Sequence, residues 1–388
     1  MPRILFHVQH LVGIGHLRRA ASLARAAAAA GADVLCVTGG YPVPDLELGE
    51  AELLQLPPAR AQDLRYKALV DEQGDVVDDD WRRTRRDWLL EVVSGWQPDV
   101  IVTETFPFGR RLLRFELDPL LAWCAEQPRR PRLVTSIRDI LEGFPGPAGR
   151  MERVIQTLKQ SYDRVLVHAD RKWVALADTF PGADEIDAMV EYTGYIHSSD
   201  SRAADAAALP ESDQGLVLVS TGGGAVGAEL AGIALMAARL GPEYWQWLVL
   251  AGHNMAATEF DHLASLAPAN ARVERNRPDF AALLAAATVS VSQAGYNTVC
   301  DLLSVPTPAV LVPFLADGQF EQTHRARLLA ERGRVHVAAL LDLEPMLLLD
   351  TIAHATRSID AVGNTAYAPA ALDGARVSAE HLLALAAC

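Results

Sequence analysis

Short, nearly continuous apolar runs recur along this chain, most of them followed by an alanine- and leucine-rich stretch of helical pattern, and the series begins twice. In the first half the runs are RILFHV (3–8), DVLCVT (33–38), DVIVT (99–103), RLVTS (132–136) and RVLVH (164–168). Strands apolar on both faces are what a parallel sheet covered by helices on each side requires. A polar, alanine-rich stretch, HSSDSRAADAAALPESDQ (197–214), then breaks the pattern and reads as a linker. After it come GLVLVS (215–220), WQWLVLAG (245–252), TVSVS (288–292) and PAVLVP (308–313). The alternation predicts an α/β chain of two doubly wound, Rossmann-like domains in series, with the cleft between them as the default ligand site. At 388 residues the chain is too long for one simple core. The expected boundaries are 1–200, 201–358 and a closing segment 359–388. Its helix, VSAEHLLALAAC, has packing back on the first domain as one arrangement open to it.

Charge and cysteine content narrow the class. A formal net charge of −14 argues against a general nucleic-acid binder, whose footprint is basic. Cysteines at 36, 124, 300 and 388 form no Cys-x-x-Cys and no metal spacing, so free thiols in a reducing cytoplasm are expected. The N-terminal MPRILFHVQHL is no signal peptide, because His7, Gln9 and His10 break its apolar run. No stretch reaches the roughly 18 apolar residues of a membrane span. FAALLAAATVSVSQAG is interrupted by Thr288, Ser290, Ser292 and Gln293. The expectation is a cytoplasmic protein, with peripheral contact at the inner face of the membrane left open.

Two glycine turns carry phosphate-binding signals. VSTGGGAVGAEL sets Gly222, Gly223, Gly224 and Gly227 between a strand and a helix, a literal G-x-G-x-x-G. Glycines let the backbone approach a phosphate, and the following helix N-terminus stabilises its charge. A dinucleotide site also wants an acidic residue about 20 positions on, to hold a ribose. The next strand instead ends in Ala251, Gly252, His253 and Asn254, and no Lys-Ser/Thr follows the glycines, which excludes a P-loop. NAD and ATP are therefore disfavoured, and a tight turn without ligand remains the alternative. In SVSQAGYNTVCDLL, Gly295 again lies between strand and helix, and Asp301 follows six residues later. Asp301 is near enough to meet a ribose whose phosphates sit at the helix start, or is an exposed carboxylate favoured by the helix dipole. The loop of PFLADGQFEQTHRARLLAERG carries Asp317, Gln319, Glu321 and Gln322, a set able to hydrogen-bond sugar hydroxyls.

His16 stands at the start of the helix in VGIGHLRRAASLARA (12–26). Backbone N–H groups there favour negative charge and keep an imidazole neutral, which suits a general base. A solvated histidine fits the position equally. Asp78-Asp79-Asp80 contains D-x-D, a metal–diphosphate pattern, but it precedes WRRTRRDWLL and reads better as a helix cap. Arg82, Arg83, Arg85 and Arg86 between Trp81 and Trp88, together with FGRRLLRF (108–115), read either as a basic aromatic surface for an anionic or lipid-linked acceptor or as a solvated, salt-bridged face.

Taken together, GIGHLRRA, STGGG, SQAGYNTVCDLL with PTPAVLVPF, and DGQFEQTHRA resemble the GT-B nucleotide-sugar glycosyltransferases of family 28, which include the peptidoglycan N-acetylglucosaminyltransferases. TETFPFGRRLLRFELDPLL with SIRDIL resembles, more closely, a bacterial group of predicted glycosyltransferases. The resemblance implies a GT-B fold, two Rossmann-like domains facing a central cleft. It implies an inverting, metal-independent transfer from a nucleotide sugar, UDP-linked and of the UDP-N-acetylglucosamine kind, to a small-molecule or lipid-linked acceptor, with no cofactor and no nucleic acid. By that likeness His16 is the catalytic base. Asp139 falls near an asparagine that touches the donor from the first domain, and is grouped with His16. Gly13 and Gly15 of the histidine loop and Gly222, Gly223 and Gly224 fall at the donor. The backbone of Gly295 and Tyr296 faces the α-phosphate, with Asn297 beside them. Asp301 matches a glutamate that holds the ribose. Arg277 falls where backbone groups read uracil, and Gln319, Glu321 and Gln322 fall at the donor sugar.

The chain departs from the family pattern at Gln293, where an arginine often stands, at Asn297, which replaces an apolar residue, and at Gly224-Ala225, where Ser-Gln is usual. Rival readings are a UDP-sugar hydrolase, since GIGHLRR also resembles the loop of one in pseudaminic acid synthesis, a UDP-sugar 2-epimerase and a non-catalytic nucleotide-sugar-binding regulator. A dehydrogenase is disfavoured by the missing ribose carboxylate.

Overall fold

The computed structural model describes residues 1–387 except 12, 45, 64–66, 145, 197–214, 223–226, 278, 315–319 and 363–369. The linker expected at 197–214 lies outside the described residues. The chain divides into two compact units, one of Met1–Arg171, Ala175–Ile196 and Asp373–Cys388, the other of Lys172–Val174 and His197–Leu372.

The first unit holds a seven-stranded sheet of β1 (Arg3–Val8), β2 (Asp33–Thr38), β3 (Glu52–Gln55), β4 (Val100–Glu104), β5 (Arg132–Arg138), β6 (Arg164–His168) and β7 (Val190–Tyr192). Every pairing is parallel, and the order is β3-β2-β1-β4-β5-β6-β7. The five apolar runs all become strands. The two that sequence patterning missed, β3 and β7, are the edges. Their sequences ELLQ and VEY are short, mixed and half exposed, because an edge strand keeps one side in solvent. Helix α1 (Gly15–Ala29) covers the sheet with Leu17, Ala20, Ala21, Leu23, Ala24, Ala27 and Ala28, in one cluster with Ile4, Phe6 and Val8. Alanine on that face lets the helix approach the sheet closely.

Helix α2 (Asp79–Trp96) begins as a capped helix: Asp78 accepts from Trp81 N at 2.8 Å, and Asp79 and Asp80 pair with Arg82 and Arg83. The Asp78–Asp80 run is thus a helix start. Arg85 on the same helix is fully buried and not part of a surface. It grips both oxygens of Glu116 on α3 (Arg114–Glu126) at 2.7 and 2.9 Å, and donates to Gln9 Oε1 and the Gly39 and Pro57 carbonyls. A Cβ at Gly39 would stand 2.0 Å from that guanidinium, so the position must be glycine. Phe108 is buried too, and Arg82, Arg83 and Arg86, half-buried to exposed, form a salt-bridged face.

The second unit has a six-stranded parallel sheet of β8 (Leu216–Ser220), β9 (Gln246–Ala251), β10 (Ala271–Arg275), β11 (Val289–Ser292), β12 (Ala309–Leu311) and β13 (His336–Val337), in the order β10-β9-β8-β11-β12-β13. Counted within each sheet, both begin 3-2-1-4-5-6, the doubly wound order, whose reversal between first and fourth strands leaves a crevice at the strands' C-terminal ends. The unpredicted strands β10 and β13 are again the edges. Helix α4 (Arg150–Ser161) belongs to the first unit, and α5 (Ala228–Leu240), α6 (Ala257–Leu266), α7 (Phe280–Ala286), α8 (Tyr296–Ser304), α9 (Glu321–Glu331) and α10 (Pro345–Val362) to the second. Leu348, Ile352 and Ala355 of α10 pack with Leu230, Ala231 and Ala234 of α5.

The last helix, α11 (Gly374–Ala386), returns to the first unit, where Ala379 and Leu382 join the α1 cluster. Gly374 donates to Tyr195 O at 3.1 Å, and a Cβ there would stand 2.3 Å from Gly194 O, so the chain's re-entry depends on a glycine. Among the described residues no helix is long and apolar enough to cross a membrane. Cys36, Cys124 and Cys300 are buried free thiols, and Cys388 lies outside the described residues.

Candidate active site

Each sheet's reversal point carries a cluster of the expected residues. In the first unit, β1 leads through a short loop into α1, and His16 is the second residue of that helix. Gly13 on the loop and Gly15, the first residue of the helix, are exposed, with open space where a Cβ would sit. The neighbouring strand β4, in register with β1 through His7 and Thr103, ends in Glu104. Its Oε1 lies 2.8 Å from His16 Nδ1. Arg19, one turn further along α1, bonds the same oxygen, and Arg110 reaches Oε2 at 3.3 Å. The His16 side chain is 22% exposed and Glu104 only 3%.

These contacts fix the ionisation of the pair. Burial pushes the His16 pKa down to about 3; Glu104 opposes that fall, and the Arg110 and Arg138 guanidiniums add to it. Burial alone would raise Glu104, but His16, Arg19 and Arg110 hold its carboxyl well below the usual carboxylate range. At neutral pH the imidazole is uncharged and the carboxylate ionised. Glu104 Oε1 at 2.8 Å is the nearer partner of Nδ1 and the Arg19 guanidinium at 3.2 Å the farther; with the ring proton on Nδ1 the carboxylate accepts it, and the Nε2 lone pair is left for a substrate proton. The backbone beside this pair is forced: Thr105 has φ 67° and Arg110 φ 60°. A β-branched residue in the left-handed region is uncommon, and such strain gathers at functional loops. A Cβ at Gly109 would meet Thr105 Cγ2 at 2.8 Å, which explains the glycine.

Asp139 lies at the end of the neighbouring strand. It is fully buried just after β5, and its Oδ1 accepts from Ile140 N at 2.9 Å, which ties it to the turn. Glu104, which sequence reasoning passed over as a site residue, is the carboxylate on the imidazole. Its signal was present: an apolar strand, VIVTE, ending in a buried acid at the carboxyl edge of a sheet.

The reversal point of the second unit is made of backbone. Strands β8 and β11 pair through Ser220 and Ser292, and a glycine loop follows each. Gly222 has φ 73°, and its carbonyl accepts from Asn276 Nδ2 at 3.0 Å. Gly227, at the start of α5, has φ 119°, and a Cβ there would lie 2.4 Å from Thr221 Cβ. Gly223 and Gly224 lie outside the described residues, as do Asp317 and Gln319. Gly295 caps α8, so the backbone N–H groups of Tyr296 and Asn297 stand in its first turn, where an anion is stabilised. Asn297 is exposed, and Asp301 lies half-buried in the second turn.

Helix α9 clamps this loop. Gln322 Oε1 accepts from Ala294 N at 3.0 Å and Phe314 N at 3.1 Å. Arg325, fully buried, donates to Ala294 O at 2.8 Å, pairs with Glu321 at 2.5 Å and lies 5.7 Å over the Tyr296 ring. Glu321 and Gln322 therefore hold the glycine turn in place. Arg277, beyond β10, has its side chain engaged by Asp279 at 2.6 and 2.8 Å and by Glu274 at 3.2 Å. Among the described residues no group of three or more His, Cys, Asp or Glu is placed to hold a metal ion.

Residues 218–381 match the glycosyltransferase family 28 C-terminal domain. A UDP-N-acetylglucosamine–N-acetylmuramyl-(pentapeptide) pyrophosphoryl-undecaprenol N-acetylglucosamine transferase from Ralstonia nicotianae is 29% identical over 210 residues, covering 50% of this chain and 54% of that protein. The transferase of the same name from Gloeothece citriformis is 33% identical over 70 residues, covering 18% of this chain and 19% of that protein. The matches thus span about half or less of these relatives' lengths. The crystal structure of Acinetobacter baumannii MurG shares the fold at 13% identity, with a TM-score of 0.64 over 99% of this chain and 100% of that one. The chain has the GT-B fold, and its residues 218–381 match the C-terminal domain of the family 28 glycosyltransferases.

Proposed function

We propose that this protein transfers a sugar from a nucleotide-sugar donor to an acceptor hydroxyl with inversion at the anomeric carbon. The donor is UDP-linked, UDP-N-acetylglucosamine by the likeness of the two relatives, and the acceptor is a small molecule or lipid-linked. The observation that carries the reading is the uncharged His16, oriented by Glu104 in a chain whose other half is a family 28 domain. The acceptor hydroxyl gives its proton to His16 Nε2 as its oxygen bonds to the anomeric carbon. The carbon–oxygen bond to the diphosphate breaks on the opposite face, and its electron pair leaves with the nucleoside diphosphate. Glu104 stabilises the imidazolium that forms, as the carboxylate does in other histidine-base sites. The N–H groups opening α8 and the Gly222 turn take the growing charge of the leaving diphosphate. Asp301 on α8 meets the ribose. The scheme calls on no metal and no cofactor beyond the donor. Such a donor places the work in the cytoplasm, at the inner membrane face where the acceptor is lipid-linked.

A melting-temperature panel of UDP-, dTDP- and GDP-sugars tests the donor half. A UDP-sugar should raise the midpoint most, and UDP release should then depend on an added acceptor fraction. Stoichiometric free sugar appearing without any acceptor would contradict transfer and favour hydrolysis.

A further inference from the structure

Apart from leucines and alanines, helix α1 buries one side chain, that of Arg19. Taking a cation out of water is costly unless a partner of opposite charge offsets the loss. Among the described residues the acidic partner of Arg19 is Glu104, whose Oε1 it bonds. The same oxygen lies 2.8 Å from His16 Nδ1, so two donors 3.2 Å apart converge on one acceptor. Arg110 stands at the other oxygen, at 3.3 Å. The Arg19 Nε is buried with no hydrogen-bond partner, so the side chain is not placed to satisfy its own donors. It is placed at the oxygen that orients the imidazole.

We propose that Arg19 is a positioning residue for the proton transfer: it shares Glu104 Oε1 with His16, so that the carboxylate orients the ring without drawing a charge onto it. The inference rests on the transfer reading above. A carboxylate at hydrogen-bond distance favours an imidazolium, and a ring already charged cannot take the acceptor's proton. A guanidinium on the same oxygen opposes that effect twice. It holds part of the carboxylate's charge, and it sets a fixed cation beside the ring. Arg19 also helps to hold the Glu104 carboxyl well below the usual carboxylate range. Other charged groups line the cavity beside the ring: Arg111, Arg114, Arg138, Glu142, Arg150 and Arg153, together with Arg110. His168 lies near enough to Arg19 and Glu104 to feel both charges, and burial keeps it neutral. Its ring nitrogens bond Ser136 Oγ at 2.7 Å and Thr193 Oγ1 at 2.8 Å. Arg19 differs from all of these in standing one turn from His16 on the same helix, which fixes its place relative to the ring.

Nitrogen-15 NMR of the histidine-labelled full chain, titrated downward from neutral pH, tests this on Arg19→Met, Arg19→Gln and Arg19→Lys. Wild-type His16 should gain its second ring proton only at about pH 3. In the Met and Gln variants, which remove the charge, the midpoint should stand about 1–3 pH units higher, with the neutral ring still in the Nδ1–H form. Arg19→Lys keeps the charge and should restore the wild-type titration. Either neutral variant suffices where the other fails to fold. An unmoved midpoint in a folded neutral variant, or a midpoint raised as far in Arg19→Lys, overturns the proposal. An arginine serving structure alone would lower the melting temperature and leave the midpoint where it was. UDP release from UDP-N-acetylglucosamine with the acceptor fraction, followed against pH, separates this from the transfer reading, because its acid limb should rise with the midpoint. A midpoint that moves while the acid limb stays in place would leave Arg19 setting the charge of the ring and refute His16 as the base.

Discussion

The two sheets reverse their strand order at equivalent places and fill the resulting crevices with different chemistry. In the first unit the crevice holds titratable side chains, His16, Glu104, Arg19 and Arg110, brought from α1, β4 and the strained loop after it. In the second it holds glycines and main-chain groups at 222, 227 and 295, braced from behind by Gln322 and Arg325. Backbone N–H groups carry a fixed partial charge and cannot titrate, so they suit a group that must be held. A side chain whose proton can leave and return suits a group that must react. On the proposed transfer, the same fold would separate holding from proton transfer without changing its topology.

The sharpest way to break that division is His16→Ala. It should lower acceptor-dependent UDP release by about 10²–10⁴-fold, while UDP affinity, read by calorimetry, stays as in wild type. A parallel loss of UDP affinity would mean that the two crevices are not distinct in role. Gly227→Ala strikes the other crevice. At φ 119°, with Thr221 Cβ 2.4 Å from the new methyl, the loop must shift or strain by about 2 kcal/mol. Urea unfolding should show the loss and UDP should bind more weakly, with the His16 pKa unmoved. Gln322→Ala is gentler. It removes one acceptor shared by Ala294 N and Phe314 N, at a cost of about 1–2 kcal/mol. It should appear chiefly as a raised KM for the donor, and an unchanged KM would show that the brace does not shape the site.

What the sequence made legible follows the same division. Gly222, Gly227 and Gly295 stand out because each sits between a strand and a helix, and at Gly222 and Gly227 a left-handed φ of 73° and 119° favours glycine. The central strands were legible too, since burial on both faces makes each a continuous apolar run. The edges ELLQ, VEY, ARVER and HV were not, because half of each faces solvent. The cluster around His16 was legible only in part. His16 announced itself by its place at a helix start, but its partner Glu104 lies 88 residues away, and no local pattern joins them. Arg85 misled for the converse reason. Its neighbours Arg82, Arg83 and Arg86 keep partial or full contact with solvent, and only the fold brings Glu116 to Arg85 and buries it.

The central claim is an uncharged imidazole with its proton on Nδ1, held there by Glu104. Nitrogen-15 NMR of histidine-labelled protein reads both properties of His16 directly. Because burial and the nearby arginines disfavour the charged ring, lowering the pH from 8 to 4 should leave His16 neutral in the Nδ1–H form, with protonation only near pH 3. A midpoint near the ordinary value of about 6.5, or a proton on Nε2 instead, would contradict the account.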